Sequence, residues 1–156
     1  MEEYKNLFYS AREEVLRLDR DFWLDLNRLY PGLKEILAVV NKTPTFFILS
    51  TKKPVFIREI LLHHGIDWPL DKIFYPGPKT KKEVIEKVVG DHQDASIMFV
   101  DDQYDHLLIA RENPKIQPFL ASWGYVKDEW VKQTAVPVIE ISGLKHLAES
   151  FIQSLR

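Results

Sequence analysis

Apolar residues follow two different rhythms along this chain. From the start to about residue 28 they recur at spacings of three and four, at Leu7, Ala11, Val15, Leu18, Phe22, Leu26 and Leu29, with charged residues between them. That period predicts one amphipathic helix over residues 1–28. The "YPG" at 30–32 ends it, and "LKEILAVV" predicts a second helix. From Thr45 onward, short apolar runs alternate with helical patterns. Strands are predicted at 45–49 (TFFIL), 72–75 (KIFY), 96–100 (SIMFV), 118–122 (PFLAS) and 137–141 (PVIEI). Helices are predicted at 55–65, with Gly65 as the stop, at 81–90, at 106–113 and from Leu144 to the end. Thr80 and Glu83 have capping-box spacing at the start of the 81–90 helix. Strands that alternate with helices and are continuously apolar predict an α/β, Rossmann-like parallel sheet in three layers. The chain divides into a helical segment at 1–30 and an α/β core at 31–156.

Composition narrows the function classes. The 156 residues are the size of one domain, are 46% hydrophobic and carry a net charge of -2. That balance offers no electrostatic footprint for nucleic acid or an anionic membrane. There is no cysteine, so disulfides and thiolate zinc sites are excluded. No apolar run approaches the ~18 residues of a membrane span, and "MEEYKNLF" lacks the pattern of a signal peptide. A cytoplasmic location is the default expectation.

In an open parallel sheet, ligands bind beyond the carboxyl ends of the strands, so the polar residues there carry the candidate chemistry. Strand 45–49 runs into "STKKP", where Ser50 and Thr51 offer hydroxyls and Lys52 and Lys53 positive charge, a set suited to phosphate. The alternative is a capped strand-to-helix turn. Strand 72–75 runs into "PGPKTKKE", whose Lys79, Lys81 and Lys82 suit an anion as point charges. Lysines in a first helical turn oppose the helix dipole, so structure alone gives no reason for them. Strand 96–100 runs directly into Asp101 and Asp102. Adjacent carboxylates repel unless something compensates them, and hard oxygens of this kind suit Mg²⁺. The alternative is that one aspartate caps the next helix while the other is solvated. His63 and His64 have no partner spacing for zinc and read as structural.

Taken together, these strand ends resemble the haloacid dehalogenase superfamily, in particular its phosphoglycolate-phosphatase-like members. "FFILSTKKPVFIREILLHHGI" resembles the family's second motif and puts Ser50 at the phosphate-binding position. "KTKKE" resembles the third motif, K-P-x-P-E, with Lys79 as its lysine. "IMFVDD" resembles the fourth, with Asp101 and Asp102 as the acidic metal-binding pair. The further Asp or Asn often found four residues after that pair is His106 here, and Asp105 stands one residue early. "SWGY" (122–125) resembles a loop of the same members, and "LYPGLKEIL" the junction where a helical cap returns to the core. The resemblance spans about residues 29–150. It implies a Mg²⁺-dependent phosphohydrolase acting on a small phosphorylated metabolite, with residues 1–30 as a cap remnant.

The family's first motif, a strand ending in D-x-D-x-[TV], supplies the attacking Asp, and no such strand precedes residue 45. The only D-x-D is Asp19-Arg20-Asp21. The charged residues before it and the helical spacing argue for a helix surface, and Trp23 stands where Thr or Val is expected. Asp19 is therefore the one candidate nucleophile and a poor one. The resemblance places the missing strand at the centre of the sheet, between those of motifs two and four. Three outcomes are open: a longer protein, a strand donated by another chain, or direct pairing of the flanking strands. The first is favoured, and a missing central strand favours self-association. The expectation is a phosphohydrolase incomplete or inactive as this chain alone. The alternative is a non-catalytic binding module with the same fold.

Overall fold

The computed structural model describes residues 2–92, 95–133 and 135–154. The N-terminal stripe forms two helices rather than one, α1 (Glu2–Leu18) and α2 (Arg20–Leu26). Asp19 breaks the run: its side chain leaves the helix and accepts a hydrogen bond from Phe22 N–H at 3.0 Å, capping α2. Leu7, Leu18, Phe22 and Leu26, expected to face inward, are exposed, while Trp23 and Leu24 are buried against Phe56 and Ile60 of α4 (Pro54–His63). His63 and His64 reach Asp25 Oδ1 at 3.3 Å and Asn27 O at 3.2 Å, tying α4 to the helical segment.

Beyond α3 (Leu33–Val40), strand and helix alternate as expected, giving a mixed α/β fold with every strand pairing parallel. The strands are β1 (Ile48–Leu49), β2 (Ile73–Phe74), β3 (Ile97–Asp101), β4 (Ile116–Ala121) and β5 (Val138–Ile139). The helices between and after them are α4, α5 (Lys81–Asp91), α6 (Tyr104–Ala110), the short α7 (Asp128–Val131) and α8 (Ile141–Ser154). Pro54 opens α4 in the first turn, where a missing N–H costs nothing, and Gly65 follows it with φ 79°. Thr80 and Glu83 form the capping box, with Thr80 N–H donating to Glu83 Oε2 at 2.7 Å. Those bonds hold the Glu83 carboxyl below its ordinary pKa.

The strands form two sheets, β1–β2 and β3–β4–β5, with no pairing between β1 and β3 among the described residues. The sheets nonetheless share a core. Leu49 of β1 and Ile97 and Phe99 of β3 pack on one cluster, Ile85, Val89, Ala110 and Ile116. A second cluster under β1–β2 centres on Trp68, Ile66 and Leu61. Apolar side chains at the strands stay partly open: Met98 of β3 is 41% exposed and Phe47, just before β1, 36%. No helix among the described residues is long and apolar enough to cross a membrane.

Candidate functional site

Two bonds bring the loops after β1, β2 and β3 to one end of the fold. Ser50 N–H donates to Phe74 O at 3.1 Å, so the end of β1 stays beside the end of β2. Lys81, the first residue of α5 after β2, places its Nζ 2.6 Å from Asp101 Oδ2 at the end of β3. Both partners are largely buried, with side chains 15% and 5% exposed. This pairing explains a first-turn lysine that the helix dipole does not favour: the carboxylate facing it outweighs the dipole.

Asp101 is fully engaged. Its Oδ1 accepts from Gln103 N–H at 3.0 Å, at the entry to α6, and its Oδ2 lies 3.3 Å from His106 Nδ1 as well as on Lys81. Asp102 is held differently, its Oδ2 accepting from Tyr125 N–H at 2.9 Å. The "SWGY" loop thus wraps this carboxylate, and Gly124 permits the approach. A Cβ at position 124 would stand 2.3 Å from Asp102 Cβ. Gly124→Ala is therefore expected to displace the loop and lower stability by about 1–3 kcal/mol, read from thermal unfolding. A variant as stable as the parent would contradict the contact.

The other candidates are placed as follows. Ser50 is half-buried, and its Oγ accepts from Lys52 N–H at 3.1 Å, closing the turn after β1. No hydrogen bond joins it to the acidic pair among the described residues. Lys79 is exposed, and the lysine that reaches the pair is Lys81, two residues on. Asp19 is exposed at the N-cap of α2, a helical role rather than a strand end. Asp105 is exposed. Sequence reasoning weighed Lys81 only within a run of lysines and did not single out Gly124. The dipole argument was the available signal for the first, and the "SWGY" resemblance for the second.

Among the described residues no three His, Asp or Glu side chains cluster as a metal cage. Asp101 has both oxygens occupied, and Asp102 keeps Oδ1 without a partner among the described residues. One open carboxylate suits Mg²⁺, which usually takes one or two carboxylates and completes its shell with substrate oxygens and water.

Comparison with solved structures identifies the architecture. A haloacid dehalogenase-like family hydrolase from Streptococcus pneumoniae superposes with a TM-score of 0.61 at 21% identity, covering 88% of this chain and 69% of its own. A predicted phosphatase from Clostridium acetobutylicum superposes at 0.56 and 18% identity, covering 97% and 74%. The chain shares its fold with these two proteins. No protein-family model and no curated protein matches the chain. Within this shared fold, the candidate residues lie at the strand ends, where open α/β sheets place their ligands.

Proposed function

We propose that this chain is the phosphate-holding part of a haloacid dehalogenase-like phosphohydrolase that acts on a small phosphorylated metabolite. The observation that supports it most is the buried Lys81–Asp101 pair at the carboxyl end of β3, 2.6 Å across, in a fold shared with a hydrolase and a predicted phosphatase. In this reading Ser50 and Lys79 meet the phosphoryl group, and Lys81 supplies a fixed positive charge behind it. Asp101 orients Lys81, and Asp102 holds Mg²⁺ through its open oxygen. The metal, when bound, neutralises charge on phosphoryl oxygens. Lys81 does part of that work without it, because a positioned ammonium in a partly dry site acts on developing charge at little reorganisation cost.

The attacking carboxylate is not among these residues. In this reading it arrives on a parallel strand from outside residues 1–156, which pairs with β1 on one side and β3 on the other. Without that strand the two unpaired edges favour self-association. A second reading, a non-catalytic module that binds phosphate esters, draws support from Asp19, which caps a helix instead of ending a strand.

Titration with inorganic phosphate, followed by amide NMR, tests the common core of both readings. Shifts are expected at Ser50, Lys81 and Asp102, and Ser50→Ala should weaken them. A spectrum unmoved at these positions would sink the phosphate assignment.

A further inference from the structure

Helix α1 turns its more apolar side to solvent. A different side makes its attachments: the Tyr9 hydroxyl donates to Thr51 O at 3.4 Å, Glu13 pairs with Lys53 Nζ at 2.7 Å, and Leu16 packs on the cluster of Trp23, Leu24, Phe56 and Ile60. At 3.6 residues per turn, Tyr9, Glu13 and Leu16 share that one side of the helix. Tyr4, Leu7, Phe8, Ala11 and Leu18 fall elsewhere, within about a third of the circumference, and all of them are exposed. Val15 lies in the same arc and is half-buried where the arc meets the core. No charged residue of α1 falls inside the arc. A helix on a globular surface ordinarily does the reverse, with its apolar stripe inward and its charges outward.

The exposed surface is large. Phe22 and Leu26 of α2 follow Leu18 at spacings of four across the Asp19 break. With Tyr4, Leu7, Phe8 and Leu18 they are between 54% and 80% exposed. At about 200 Å² for a fully exposed large side chain, these residues leave roughly 700 Å² of apolar surface in water. The largest patch on a typical monomer is about 300–600 Å², and larger ones mark contact sites.

We infer that this face is the interface of a homodimer, in which the stripe of one copy packs on the stripe of a second about a two-fold axis. A two-fold contact needs only one surface, complementary to itself. Residues three and four apart on a helix form ridges that enter the grooves of a facing helix. Ala11 stands midway between Tyr4 and Leu18, and its small side chain lets two axes close where they cross. The charge-free arc matches the core of an interface, where charged residues are depleted. Two such patches bury roughly 1,400 Å², within the ~1,200–2,000 Å² of stable interfaces. The interface is independent of the phosphate reading, and it places self-association on α1 instead of on the open edges of β1 and β3.

Sedimentation velocity on the full chain tests this. The parent is expected to be a dimer at micromolar concentration. Leu7→Lys combined with Leu18→Lys puts like charges on both stripes at exposed positions, so circular dichroism should be unchanged. Dimerisation should weaken about a hundredfold or more, roughly tenfold for each lost contact. Met98→Lys, on the open strand β3, should leave the dimer as it is. The chain has no cysteine, so Ala11→Cys alone gives a positive readout. Mild oxidation should link two copies through it well ahead of Asn6→Cys, which lies on a different side of α1. A monomeric parent overturns the interface. So does a dimer that survives the paired lysines, a dimer lost in Met98→Lys, or an assembly larger than a dimer. Ala11→Cys that links no faster than Asn6→Cys overturns it as well.

Discussion

Incubated with p-nitrophenyl phosphate and Mg²⁺, this chain is expected to release p-nitrophenol no faster than the uncatalysed reaction. In the proposed reading the residues of this site position and neutralise the phosphoryl group, and none of them attacks. Ser50 closes a turn, Lys81 is bound to Asp101, and Asp102 is cradled by the 122–125 loop. Losing an attacking side chain alone costs on the order of a millionfold in kcat in a well-studied hydrolase, far more than any change of binding residue. Asp19→Asn is the informative control. Asn caps a helix about as well as Asp, so the variant should fold like the parent and change nothing in the assay. Turnover in the parent that disappears in Asp19→Asn would make Asp19 the nucleophile and overturn its assignment as a cap. Turnover that persists would point to a donated strand or an unrelated mechanism.

Lys81→Met is expected to be the most damaging single change to stability at the site. It leaves Asp101 buried, 5% exposed, with the imidazole at 3.3 Å as its nearest side-chain partner. Removing one member of a buried pair typically costs about 3–5 kcal/mol, because the remaining charge is uncompensated. In a chain of this size that is a fall of roughly 10 °C in Tm. Adding Asp101→Asn to Lys81→Met should recover part of the loss, since the orphaned charge is then gone. A thermal double-mutant cycle checks both statements. A Lys81→Met protein within about 0.5 kcal/mol of the parent, the range of ordinary surface changes, would show that the pair is not formed as described. Lys79→Met, by contrast, changes an exposed side chain and should leave Tm almost unmoved.

The Lys79 and Lys81 positions also show where reading the sequence stopped. The motif spacing favoured Lys79, because spacing records only distance along the chain. In space, α5 begins at Lys81, and the first residue of that helix is the one aimed at the end of β3. The aspartates divide for a similar reason. "IMFVDD" marks both as a strand-end pair. Only the fold puts Lys81, Gln103 and His106 around one and the Tyr125 amide against the other. The N-terminal helix is the opposite case: its apolar period was plain, but Asp19 splits it into two helices, and Trp23 and Leu24, outside the periodic stripe, are the residues buried against α4.

What the sequence determined by itself was the alternation of strand and helix, the parallel α/β class and the capping box at Thr80. It also set the positions where strand ends carry Ser50, Asp101 and Asp102. These follow from short-range rules, the periods of 2 and 3.6 and the three-residue reach of a cap. The tertiary structure alone decided which lysine pairs with Asp101 and why position 124 must be glycine. It also decided that β1 and β3 flank one core cluster without pairing. Those outcomes depend on groups many residues apart meeting at ångström distances, where burial makes an ion pair, a close approach or an unpaired charge count for far more than it does in water.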